Sequence, residues 1–162
     1  MTDDRWLTAD QLSAWKKLIA VVELLPGTLE SQLRRDADLS HFEYFTMAML
    51  SEAPGRTLRM TALASLTSST LARLSHVVSR LEKRGFVRRE TCADDRRATN
   101  AYLTSDGWSK IVATSPGHVA TVLQNVIDPL SVTDVVDLDR LMGRILGALD
   151  PSNDMGVANS SR

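Results

Sequence analysis

The sequence holds one cysteine, Cys92, in 162 residues. No disulfide can form within the chain, and a reducing, cytoplasmic setting is the expectation that follows. No apolar run approaches the ~20 residues needed to cross a bilayer. The opening residues Met1-Thr2-Asp3-Asp4 lack the basic-then-apolar order of a secretion signal. There is no nucleophile–base–acid set and no glycine-rich phosphate loop, so an enzyme is not expected. His41, His76 and His118 are scattered and have no cysteine companions, so neither a metal nor another cofactor is expected. The most informative absence is of acids: no Asp or Glu stands between Glu52 and Glu82.

What is present is ordinary in total and uneven in place. Hydrophobic residues make up 43% and charged residues 24%, as in a chain that builds one folded core. The formal net charge of -1 hides a basic centre: residues 56–97 carry ten Lys/Arg against four Asp/Glu, a balance of +6. Residues 1–55 stand at -4 and residues 98–162 at -3. Such clustering is the electrostatic footprint of a polyanion site. The plainer alternative is a solvated face that happens to be arginine-rich, but a solvated face mixes acids with bases.

Helix signals recur along the chain. Thr8 with Gln11, Ser40 with Glu43, and Ser131 with Asp134 have the spacing of capping boxes. After the first, Leu12, Trp15, Ile19 and Val22 repeat at helical intervals until Pro26-Gly27, which leaves one kinked helix or two. The second predicts a helix that stops at Pro54-Gly55. Residues 56–60 alternate as a short strand, and Thr61 is a candidate cap for the small helix that follows. Leu71, Leu74, Val78 and Leu81 stripe the most strongly patterned helix, with Gly85 as its stop. Residues 86–104 read as two β-rich runs around "ADDRR", a hairpin with a charged turn that needs a helix to lean on. A helix through Trp108 and Ile111 meets Pro116-Gly117 and continues, and Val135, Leu138, Met142, Ile145 and Leu149 mark the last helix. The order is that of a winged helix-turn-helix flanked by terminal helices, a mainly α fold with a two-stranded β-wing.

The patterned helix suits a DNA major groove. Ser69, Arg73, His76 and Arg80 follow at steps of four, three and four and so share its outer face. Arg73 has the fork that matches a guanine edge, and His76 can donate to a base or phosphate. Ser68, Ser69 and Thr70 lie where a helix dipole and open amides favour phosphate, and Arg80 is placed to reach backbone phosphate. The hairpin would lie along the adjacent minor groove, where Arg96 and Arg97 supply the cation. Asp94 and Asp95 suit an internal role, pairing with a tip arginine or capping the turn.

These residues also resemble the MarR (multiple antibiotic resistance regulator) family. "ADDRRATNAYLTSDG" resembles its wing signature, with Asp95-Arg96-Arg97 and Leu103-Thr104-Ser105-Asp106-Gly107 in matching places, and "LSHVVSRLEKRGFVRR" resembles the end of its recognition helix. The resemblance implies one domain over residues 1–150: dimerisation helices at 8–38 and 105–149, a DNA-binding lobe at 40–104, and a flexible tail at 151–162. It implies a homodimer on a pseudo-palindromic operator in double-stranded DNA, with repression lifted by a small aromatic or anionic effector. It assigns Arg97 to the minor groove and Asp95 to orienting it. The broad apolar faces of the first, fifth and last helices independently favour a dimer. Trp15, His41, Tyr44, Phe45, Met47 and Met49 are effector-pocket candidates, with core packing as the alternative for each. Cys92, in the wing, is more naturally a small strand residue than a redox sensor. A competing reading is a protein-interaction winged helix whose basic face binds an acidic protein partner.

Overall fold

Helix α1 (Ala9–Ala37) begins where Thr8 Oγ1 accepts from the Gln11 amide at 3.3 Å and Gln11 Oε1 accepts from the Thr8 amide at 3.0 Å. The computed structural model describes residues 6–92 and 95–157. Of the two alternatives at Pro26-Gly27, the structure takes one unbroken helix of 29 residues. Proline removes the donor to the Val22 carbonyl; both residues are exposed, so water can serve it. The helix ends at Asp38 in the left-handed region (φ 52°). All of its buried residues, Leu29, Gln32, Leu33 and Ala37, lie past the proline.

Helix α2 (His41–Glu52) starts with the Ser40–Glu43 capping box and ends before a single 3-10 turn at Pro54–Arg56. Strand β1 (Thr57–Arg59) leads directly into α3 (Met60–Leu66). Thr61 is not its cap: the N-cap is Arg59, which makes no side-chain capping bond, and Thr61 lies inside the first turn. Helix α4 (Leu71–Lys83) is capped by Thr70, whose Oγ1 accepts from the Arg73 amide at 3.2 Å. Strands β2 (Val87–Thr91) and β3 (Thr99–Leu103) form the expected hairpin. It is wider than the two-stranded wing read from sequence, because β1 pairs antiparallel to β3, with Leu58 opposite Ala101, giving the order β1-β3-β2. The helix-turn-helix and the wing thus share one sheet.

Helix α5 (Ser105–Val122) passes through Pro116 and runs into a π turn at Leu123–Ile127. Its first turn explains the "LTSDG" stretch. Thr104 donates its hydroxyl to the Gly85 carbonyl at 2.6 Å and its amide to the Phe86 carbonyl at 3.0 Å, while its Oγ1 accepts from the Gly107 amide at 3.0 Å. A Cβ on Gly107 would stand 2.1 Å from the Phe86 carbonyl oxygen, a distance only glycine avoids. Helix α6 (Val132–Leu149) opens with the Ser131–Asp134 capping box. Asp150 then accepts from the amides of Asp154 and Met155, and Met155, Gly156 and Val157 border a shallow groove with Phe45, Met49, Leu58 and Leu66. Residues 158–162 of the expected tail lie outside the described residues.

The core lies between α1's second half, α2, α3, α4 and the sheet. Leu33, Leu39, Met47, Leu50, Leu63, Leu74, Val78 and Leu81 are wholly buried there. Helix α6 has no buried residue.

Candidate nucleic-acid interface

Helix α4 turns its polar face outward because Leu74, Val77, Val78 and Leu81 are fixed in the core on the other side. Arg73, His76 and Arg80 are exposed and border one groove with Phe42 and Ser40. The guanidinium of Arg73 lies over the Phe42 ring, 4.4 Å from its centre. This is a cation–π contact with the ring face. Arg80 is partly committed: its Nε lies 3.3 Å from Oε1 of Glu43, a buried carboxylate whose Oε2 also accepts from the Ser40 amide.

On the other side of α4, Leu71 and Ser75 share a cleft of about 190 Å³ with Arg59, Arg89 and Arg97. The structure therefore brings the wing arginine to the same cleft as the first turns of the recognition helix. Asp95 supplies the turn that does this. Its Oδ1 accepts from the Arg97 amide at 3.0 Å, and its carbonyl accepts from the Ala98 amide at 2.9 Å. This is the capping role the sequence allowed; Asp94 lies outside the described residues. Arg96 and Arg97 are both exposed at the tip.

The turn between α3 and α4 departs from expectation in its amides. Those of Ser68 and Ser69 are bonded to the carbonyls of Ser65 and Ala64, each at 2.9 Å. Ser68 sits at φ 46°, held by that turn. The open donors at the start of α4 are the amides of Leu71 and Ala72, which no preceding helical turn serves, with the Thr70 hydroxyl beside them.

Sequence reasoning missed two residues. Arg59, exposed beside Arg97, follows from the acid-free run but was masked by its strand pattern. Arg89 enters the sequence reading within the basic balance of residues 56–97, and its guanidinium is spent on Glu82, Ser75 and Ser79. Ion pairs also tie Arg84 to Asp38 and Arg88 to Glu90. Among the described residues, six arginines have no carboxylate partner: Arg59, Arg73, Arg96 and Arg97 border α4 and the wing, Arg56 lies over the Trp108 ring, and Arg144 is on α6.

A different polar cluster joins the lobe to α5. His118 packs 4.5 Å from the Tyr44 ring and 6.4 Å from His41, and Tyr44 Oη shares a hydrogen bond of 3.2 Å with Ser115 Oγ. Burial lowers the pKa of His118, as does nearby His41; burial also lowers that of His41, against the opposing pull of Glu30. No group of three or more His, Cys, Asp or Glu among the described residues is arranged to hold a metal, and none of their helices is long and apolar enough to cross a membrane.

Comparison with known proteins agrees with this arrangement. The MarR family model matches residues 39–99. Sco3205 of Streptomyces coelicolor, a MarR family transcriptional regulator solved in complex with DNA, is 42% identical. That match covers 94% of this chain and 96% of Sco3205, at a TM-score of 0.89. AbsC, another MarR family regulator of that organism, is 37% identical over 90% of this chain and 97% of its own, at 0.85. The transcriptional regulator HosA of Escherichia coli is 35% identical over 79 residues, which are 49% of this chain and 57% of HosA. This chain thus matches little more than half the length of that curated relative. With a winged helix-turn-helix, a basic wing beside α4 and near-complete overlap with Sco3205, the chain belongs to the MarR family of transcriptional regulators.

Proposed function

We propose that the chain acts as a homodimeric, sequence-specific DNA-binding regulator, a repressor of a pseudo-palindromic operator that a small aromatic or anionic effector releases. The observation that carries this reading is the shared cleft in which Arg97 meets Leu71 and Ser75 of α4. A helix in the major groove and an arginine in the neighbouring minor groove need that adjacency. Arg73 and His76 read base edges, Thr70 with the turn of Ser68 and Ser69 positions the phosphate backbone, and Arg80 and Arg96 add phosphate contacts. Asp95 sets the turn that presents Arg97. Sco3205, which shares the fold closely, is described in complex with DNA, and this supports the same ligand class here.

The dimer is supported by what the single chain leaves bare. Leu24 on α1, Val119 on α5 and Val132, Val136 and Leu149 on α6 are at least half exposed. Apolar surface of this kind gains roughly 25 cal/mol per Å² when covered. Pairing α1, α5 and α6 with a second copy covers it and sets two α4 helices about 34–36 Å apart, one turn of DNA. The effector reading is supported by the Tyr44, His41 and His118 cluster at the junction of these helices with the lobe.

The test is selection of bound duplexes from random DNA by the purified chain, followed by binding across a salt series. The reading expects a two-fold-symmetric site and affinity that falls steeply with salt as counterions are released. Arg97→Ala is expected to weaken operator binding about ten-fold with the dimer intact. No preference over random duplex, together with retention of an acidic protein, would instead favour the protein-interaction reading.

A further inference from the structure

We infer that Arg89 is a positioning residue that sets the angle between the recognition helix and the wing, and so determines whether Arg97 reaches its groove. The inference rests on the function proposed above. Three residues of α4, at steps of four and three, converge on this one residue of β2. Arg89 donates from Nη1 to Ser75 Oγ at 3.1 Å, from Nη2 to Ser79 Oγ at 2.8 Å, and from Nε to Glu82 Oε2 at 2.9 Å. Its amide donates to Glu82 Oε1 at 2.8 Å, and Nη2 lies 2.6 Å from Oε2. Both carboxylate oxygens of Glu82 are thereby engaged by one residue.

The geometry is that of a clamp near a hinge. Below Arg89 the hairpin is anchored by buried Val87, which pairs with Leu103. Above it the strands run outward to an exposed tip. Arg89 lies opposite Ala101 of β3, two residues inside the strand's start at Thr99 and four from Arg97 in the turn, so the two are at most about 13 Å apart along the chain at ~3.3 Å per residue. A rotation of about 10° at the clamp therefore moves Arg97 by up to about 2 Å, against the ~6 Å width of a minor groove. The guanidinium is suited to this work because its donors are rigid and coplanar. Lysine keeps the charge but cannot hold three acceptors in one plane. Arg89 also borders the cleft that Arg97 lines, so the clamp and the wing arginine share one site.

A positioning residue acts through Arg97, and a residue that merely stabilises the fold does not. The measurement is a double-mutant cycle on the full chain, using the duplex selected with the unaltered protein as the probe. Arg89→Lys and Arg97→Ala are each expected to weaken binding about ten-fold, and the double variant is expected to bind no more weakly than Arg97→Ala alone. Multiplication of the two losses to about a hundred-fold would overturn the inference. Ser79→Ala removes one arm of the clamp and provides the same cycle if Arg89→Lys does not fold: it should weaken binding a few-fold with Arg97 present and not at all in Arg97→Ala. An unaltered affinity for Arg97→Ala would instead sink the wing reading itself, and the clamp's purpose with it.

Discussion

The lobe formed by α2, α3, α4 and the sheet and the helix α6 carry similar apolar stripes, yet they end in opposite conditions. Leu74, Val78 and Leu81 of α4 have no accessible surface, while on α6 Val135, Leu138 and Met142, at the same periodicity, are only half-buried and Ile145 is exposed. Helix α1 contains both conditions, bare before Pro26 and buried after Leu29. The contrast teaches that periodicity marks a face to be covered without saying by what. In the lobe the cover is local chain; for α6 and the first half of α1 the proposed cover is a second copy.

Four measurements can break or sharpen that contrast. Leu74→Ala removes a side chain from the closed core and should cost about 4 kcal/mol, read in denaturant melts against the unaltered chain at one fixed protein concentration. Gly107→Ala drives a methyl against the Phe86 carbonyl and should cost about 3 kcal/mol; a loss below a tenth of that would mean the base of the hairpin yields freely. Leu141→Glu on α6 should barely disturb the lobe while raising the dissociation constant of the proposed dimer at least about a hundred-fold, or ~2.7 kcal/mol, measured by sedimentation. A variant that stays paired would remove α6 from the interface.

The smallest effect concerns the histidines where the lobe meets α5. Burial depresses both His41 and His118 below the ordinary value of 6.5. The unfolded chain therefore takes up protons first as pH falls, and their contribution to stability is full above about 6.5 and declines below it. The melting temperature should drop between pH 7.5 and 5.5, less steeply in His118→Gln. A Glu30 effect stays separate, since its pKa is lowered: burial, which raises it, is outweighed by the His41 amide and Arg34, and its contribution is lost only in more acidic solution.

Local chemistry was legible in the sequence. The three capping boxes need only residues three apart, and all three are present. The hairpin and its Asp95 turn are likewise short-range. What was hidden depends on registers between distant segments. Pairing of β1 with β3 joins residues more than forty apart. The Glu43 carboxylate reaches Arg80 only once α2 has docked on α4. Arg89 looks like one more wing cation until Ser75, Ser79 and Glu82 are seen to face it. The Ser68 and Ser69 amides were misread for a related reason: the tight turn after α3 bends them back onto its last carbonyls.

At about 1.5 Å per residue, the 29 residues of α1 make a rod about 43 Å long. Near the point where it enters the lobe, Glu30 accepts from the His41 amide at 2.6 Å, and the next residue, Phe42, is the one on which Arg73 rests. This tie between the rod and the start of α2 therefore lies a single residue from the ring beneath Arg73.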